Sequence, residues 1–260
     1  MDMKPAQPDR SVPLRHEGLL LDSLNCMRTR VNAWASTALA RRHKILCLSG
    51  SEDLLADSPD VTATRLTIGD LLPSADPARL VRGALDGGFD GVSIIISADS
   101  VIAATSREVH AAIEASLTEL GTHYPVAVLC CYHRNGAGAD HVDMAVSHHL
   151  DGLQEQQLTL HRRLDGTVHL RGEIDLVNLD VLIAALRAAT QTRSATIRLD
   201  LGLLTFLSAG AARALHQQTA RFRDHGGQVE IYGATPQLVR ILQLIHPQPP
   251  PGLKIVGSGG

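Results

Sequence analysis

Three short runs in the first half of the chain are apolar almost without interruption: Lys44–Leu48 (KILCL), Gly91–Ile96 (GVSIII) and Pro125–Cys131 (PVAVLCC). A strand that is apolar on both faces must be covered on both faces. The segments between these runs have helical periodicity, so they supply the cover, and the strands they join run parallel. Leu24–Arg41, Thr105–Leu120 and His141–His149 read as helices. Another starts at Asp76-Pro77, with Asp at the cap and Pro in the first turn, and stops at Gly87-Gly88. Val61–Leu66 alternates like a further strand. The expectation is an α/β domain with a parallel sheet over residues 14–153.

The second half opens differently. Thr159–Leu164 and Thr167–Arg171 flank Asp165-Gly166, the dipeptide of a type I′ hairpin turn. A helix follows from Asn178 or Asp180, then a strand (Ala195–Leu201), a helix (Ala209–Asp224), a strand (Gln228–Tyr232) and a helix capped by Thr235-Pro236. The order β-β-α-β-α-β-α suits a small mixed sheet with helices mainly on one face. Lys254–Val256 can add an edge strand. The polar stretch Asp151–Gln157 is the expected boundary, with a second domain over 158–246 and flexible termini at 1–13 and 247–260.

Composition excludes several functions. A net charge of −3 offers no field for nucleic acid, and 3% aromatic residues offer no stacking surface. No apolar run approaches the roughly 20 residues that span a bilayer. The polar start MDMKPAQPDRSVP lacks the apolar stretch of a signal peptide. Four cysteines, two of them adjacent (Cys130, Cys131), fit a reducing compartment. A cytoplasmic location is expected.

The segment Arg198–Leu215 (RLDLGLLTFLSAGAARAL) carries the most information about function. A buried strand ends near Leu201, a short loop follows, and a helix begins at Ser208. Ser208, Ala209 and Gly210 then lie at a helix N-terminus, where free N–H groups favour an anion. Together with Gly172-Glu173-Ile174-Asp175 after the hairpin, and Thr205-Phe206-Leu207 before the helix, this segment resembles the STAS family of anti-sigma factor antagonists over Leu158 to Ile245. Switched members of that family carry Asp-Ser-Ser-Gly at the helix start, and a partner kinase, the anti-sigma factor, phosphorylates the second serine. Here Ser208, Ala209, Gly210 and Ala211 occupy those places. The resemblance therefore implies a docking surface at Gly172, Asp175, Phe206, Ser208, Ala209, Gly210 and Ala211 whose usual phosphoacceptor is lost at Gly210. Ser208 remains as an off-register acceptor.

The first half resembles a MEDS sensory domain. The resemblance rests on HEGLLL from His16, KILCLSG, Asp76-Pro77-Ala78-Arg79-Leu80, GFDGVSIII, Glu114, and Val128-Leu129-Cys130-Cys131-Tyr132. It implies a degenerate RecA-like fold and ligand-sensing residues at His16, Glu114, Cys131 and Tyr132. His16 is equally readable as a satisfied core histidine, and the cysteines as small buried hydrophobes. Ser49-Gly50-Ser51-Glu52-Asp53, where a phosphate loop would lie, has no Gly-Lys-Ser/Thr ending and is acidic, which argues against ATP hydrolysis. Asp140, His141, Asp143, His148 and His149 are of metal-ligating type; Asp143, His148 and His149 do not share one helical face, though His141 and His148, seven apart, can, and no metal or other cofactor is expected. No nucleophile elbow marks a hydrolase.

The combined expectation is a regulatory binding protein and not an enzyme. It docks a serine-kinase anti-sigma factor, is controlled by a sensory domain with a small-molecule ligand, and touches neither nucleic acid nor membrane. Two other readings stay open: a scaffold that packs against copies of itself in a stress-signalling assembly, and a nucleotide-binding enzyme with an accessory STAS domain.

Overall fold

The computed structural model describes residues 16–56, 61–135, 141–191 and 194–257. The expectations for residues 1–13, Asp140 and 258–260 lie outside the described residues. In chain order the elements are β1 (His16–Leu21), α1 (Leu24–Ala40), β2 (His43–Leu48), β3 (Thr64–Leu66), α2 (Ile68–Leu71), α3 (Ala78–Asp86), β4 (Gly91–Ser97), α4 (Ala98–Ala104), α5 (Arg107–His123) and β5 (Val126–His133). They continue with α6 (His141–His149), β6 (Leu153–Glu155), β7 (Leu158–Arg162), β8 (Val168–Ile174) and α7 (Leu179–Thr190). The last are β9 (Thr196–Leu207), α8 (Ala209–Asp224), β10 (Gln228–Tyr232), α9 (Pro236–Ile245) and β11 (Leu253–Ile255). The described residues fall into two units, His16 with 23–131 and 17–22 with 132–257.

In the first unit β5, β4, β2 and β3 lie side by side, all parallel. Val92, Ile94, Ile95 and Ile96 are each at most 2% exposed, as a strand covered on both faces requires. Helix α1 packs on β2 and β4, and α3 packs on β4. The helix expected over Thr105–Leu120 is α5, which starts two residues later, and a further helix, α4, precedes it. The chain is extended at Thr105 and Ser106, and the Ser106 hydroxyl accepts from Val109 N at 3.4 Å to cap α5. Asp76 does not cap α3: it sits at φ 50° and binds Arg82 at 2.6 Å, and Pro77 takes the capping place. The strand expected from Val61 is only Thr64–Leu66.

The second unit contains β1, β6, β7, β8, β9, β10 and β11. The steps β6–β7 and β7–β8 are antiparallel, and the others are parallel. The stretch 151–157, expected as a connector, contributes β6, with Leu153 and Glu155 buried. The hairpin turn is not type I′, because Asp165 does not have the positive φ that turn needs. Gly166 N donates to Arg163 O at 2.9 Å and Arg163 N donates to Thr167 O at 2.9 Å. With Gly166 at φ 82°, this is a type I turn closed by a glycine bulge. Helix α7 packs on α8 and α8 on α9, while α6 packs on α7.

Strand β9 differs from expectation in a way that matters for the site. It does not end near Leu201 but runs unbroken to Leu207. Its second half pairs with β8 (Arg171 opposite Leu203, Gly172 opposite Leu204, Glu173 opposite Phe206), with register shifts at 169–171 and 172–173. The shifts spoil the two-residue alternation, so the pattern resembles a loop.

Candidate functional site

Strand β9 delivers the chain to Ser208 with no loop between. Ser208 is extended, at φ −71° and ψ 158°, and its hydroxyl accepts from Ala211 N at 3.1 Å. Ser208 N donates to Ile174 O at 2.9 Å, which ties the start of α8 to the end of β8. Ala211 and Ala212 are buried, and their small size lets α8 lie close to the sheet. Ala209 and the following Arg213 are exposed.

The turn after β8 forms the other wall. The Asp175 carboxylate accepts from Val177 N at 2.7 Å. Asn178, fully buried, accepts from Asp175 N at 3.0 Å and donates to Glu173 O at 2.9 Å. This bonding holds Leu176 and Val177 outward, 77% and 60% exposed. Leu203 and Phe206 of β9 are 62% and 45% exposed, and a groove of about 310 Å³ runs from Thr205 and Phe206 to Gln237, Leu238, Arg240 and Ile241 of α9. Asp175, Phe206, Ser208, Ala209, Gly210 and Ala211 thus stand just after β8, at the end of β9 and at the start of α8. Gly172 belongs to the same region through its backbone, which sits at φ 105° where β8 bulges. Leu176, Val177 and Leu203 were missed from sequence because a lone apolar residue in a turn carries no periodicity.

Gly210 lies under this turn. A Cβ added there would meet the Leu176 side chain at 3.4 Å and Leu179 at 3.9 Å, which is ordinary contact. Gly210 is not among the positive-φ residues, so the position accepts a side chain.

Arg134 reaches the same turn. Its guanidinium donates to Val177 O, pairs with Asp180, and lies 3.4 Å from Glu155 and 3.8 Å from Asp22. The side chain is only 10% exposed, so these carboxylates compensate a charge that is mostly out of water.

The first unit holds a second polar cluster. Helix α5 carries Glu114, 3% exposed, with His110 one turn earlier on the same face. The Glu114 carboxylate meets His110 Nε2 at 3.2 Å and His16 Nε2 at 2.9 Å. Cys130 Sγ lies 3.6 Å from Glu114 Oε2 and 3.3 Å from His16 Nε2. His16 and Glu114 thus meet, and the cysteine beside them is Cys130, not the Cys131 that the resemblance implied. Cys131 projects to the other face of β5, toward Asp99 and Cys47, because successive strand side chains alternate. Tyr132 is fully buried and packs edge-on against His149, with ring centroids 5.5 Å apart. Burial pushes all three buried thiols up: Cys47 to about 11, and Cys130 and Cys131 further, with Glu114 adding to the shift of Cys130. These are not the low-pKa thiolates of a redox sensor.

Asp143 faces Arg187 at 3.8 Å, and His149 Nδ1 is 3.0 Å from Ala145 O. After β2, Gly50 N donates to the Glu52 carboxylate at 2.6 Å, so an acidic side chain occupies the amide that a phosphate loop would offer to its ligand. No helix among the described residues is long and apolar enough to cross a membrane.

Residues 159–246 match the family model described as "Mlab, STAS domain", and residues 74–150 match "MEDS: MEthanogen/methylotroph, DcmR Sensory domain". A solved structure titled as the anti-sigma factor antagonist SpoIIAA in its unphosphorylated form is similar at 17% identity. The match covers 39% of this chain and 89% of that one, with a TM-score of 0.31. The comparison with curated proteins gave no match.

Proposed function

We propose that this chain, which carries a MEDS domain followed by a STAS domain, is a cytoplasmic regulatory protein that works by binding and not by catalysis. The STAS surface docks a serine-kinase anti-sigma factor, and the MEDS region controls that docking. The observation that carries this reading is the exposed apolar surface of Leu176, Val177, Leu203 and Phe206 around the start of α8. Large apolar residues exposed in the turn and strand that lead to α8, with polar Asp175, Gln237 and Arg240 on the flanking elements, suit a protein partner. Control through the MEDS region is supported by Arg134, which links the end of β5 to the Val177–Asp180 turn beside that surface. The Glu52 carboxylate on Gly50 N favours this reading over a nucleotide-binding enzyme.

The test is a binding titration of the full chain against purified anti-sigma kinases of the same cell. One of them is expected to bind wild type. Phe206→Asp and Leu176→Asp are each expected to weaken that binding about 100-fold, since a charge at a buried contact of this kind costs about 3 kcal/mol. Binding to none of them, or binding as tight as wild type by both variants, would refute the docking surface.

The space at Gly210 gives a second expectation. Gly210→Ser should fold with unchanged midpoint of unfolding, because its Cβ makes only ordinary contacts. Offered to the bound kinase with ATP, the variant should become phosphorylated at residue 210 and then release its partner, since the phosphate adds about −2 charge beside an apolar contact. Wild type should stay unmodified there. Mass spectrometry reads both results, and phosphate on Ser208 of wild type would show that control by phosphorylation persists.

A further inference from the structure

We infer that His16, Glu114 and Cys130 form a binding site for a divalent zinc ion inside the MEDS region. The three donor atoms come from β1, α5 and β5, positions far apart in sequence. His16 Nε2 lies 2.9 Å from Glu114 Oε2 and 3.3 Å from Cys130 Sγ, and the last two atoms are 3.6 Å apart. Around a tetrahedral zinc, with bonds of about 2.0–2.3 Å, such atoms stand about 3.3–3.6 Å from each other. The set is thus within about half an ångström of closing on an ion without moving the backbone. All three belong to the residue types that can hold a metal ion here.

The surrounding hydrogen bonds prepare the donors. The Thr118 hydroxyl donates to Glu114 O at 2.9 Å, so its oxygen is left to accept from His16 Nδ1 at 2.8 Å. That places the imidazole proton on Nδ1 and turns the Nε2 lone pair toward Glu114 and Cys130. Two lone-pair atoms 2.9 Å apart need a cation shared between them, either a proton or a metal. His110 Nε2, at 3.2 Å, holds the other carboxylate oxygen, which orients Glu114.

A divalent metal satisfies the charge balance of the site. His16 and Glu114 side chains are 8% and 4% exposed, and Cys130 is fully buried. A neutral imidazole, a carboxylate and a thiolate carry two negative charges, and a divalent ion cancels them, so the loaded site is neutral where charge is costly. Imidazole and thiolate together select zinc over magnesium or calcium, which prefer all-oxygen sets. Loading transfers the Cys130 proton to solvent and forms a sulfur–zinc bond, with no oxidation.

The test uses the full, untagged chain, stripped with a chelator and titrated with zinc by calorimetry and with cobalt(II) by absorbance. One zinc per chain is expected, with a near-ultraviolet cobalt–thiolate band. Cys130→Ser should lose the band and weaken zinc binding at least about 100-fold. Cys26→Ser, at the exposed cysteine, should keep both. Thr118→Val leaves every donor in place, so it should keep the band and lose about 10- to 100-fold in affinity. This arm decides the matter if Cys130→Ser does not fold. No zinc uptake at micromolar concentration, a band that survives Cys130→Ser, or unchanged affinity in Thr118→Val would each overturn the site. The docking reading is unaffected by any of these outcomes, because it rests on the other unit.

Discussion

Gly172→Ala is expected to destabilise the protein by about 3 kcal/mol, near the upper end of what single substitutions cost. Two effects combine. Gly172 sits at φ 105°, which a residue with a Cβ rarely adopts. A Cβ there would also fall 2.0 Å from Gln157 O, the carbonyl that accepts from Glu173 N at 3.0 Å. Relief requires β7 and β8 to part at that point, and the Thr205 hydroxyl would lose its 2.9 Å bond to Gly172 O. Gly166→Ala is the control. Gly166 is also at positive φ (82°), but nothing lies within 4 Å of its added Cβ, so only the backbone strain of about 1 kcal/mol applies. Urea unfolding of both variants measures the difference. Equal losses would mean that the close approach of β7 to β8 is not as described. The comparison also separates two roles for Gly172, read from sequence as a docking residue. A structural glycine lowers partner binding only in step with stability.

Some of this was legible in the sequence for clear physical reasons. The runs KILCL and GVSIII could only be covered strands, and Ser208 before Ala209–Asp224 marked a helix start that the structure places at the same residues. The surface around α8 followed from that start. What was hidden depended on contacts between distant residues. The second half of β9 looked like a loop because its pairing with β8 slips twice. The partner of Glu114 could not be chosen between Cys130 and Cys131, since β5 is buried on both faces and alternation cannot orient such a strand. The cluster of His16, Glu114 and Cys130 has no sequence spacing at all, because β1, α5 and β5 assemble it in space. Arg134 gave no signal either; its role comes from the turn it holds.

His216 should make the protein less stable in mild acid, and removing it should remove that loss. The residue lies on the buried face of α8, 4% exposed, and neither ring nitrogen has a hydrogen-bond partner among the described residues. Burial, then the nearby His246 and Arg223, lower its pKa to about 4. The His246 ring centroid is 4.1 Å away, and Arg223 donates to His216 O at 3.0 Å. In the unfolded chain the same imidazole titrates near its ordinary value of about 6.5. Above that pH neither state is protonated and the residue has no pH effect. As pH falls from about 6.5 toward about 4, the unfolded state takes up a proton that the folded state refuses, so stability decreases. The full shift would give more than 3 kcal/mol, but exposed His246 beside the ring admits water, so a loss of about 2 kcal/mol is expected. His216→Leu keeps the apolar volume and leaves no unpaired nitrogen, so at neutral pH it should be as stable as wild type or more so. Urea unfolding of both proteins at about pH 7 and about pH 4.5 isolates the contribution, since carboxylates common to the two cancel in the difference. A variant that loses as much stability as wild type over this range would show that His216 is not held neutral by its burial in α8.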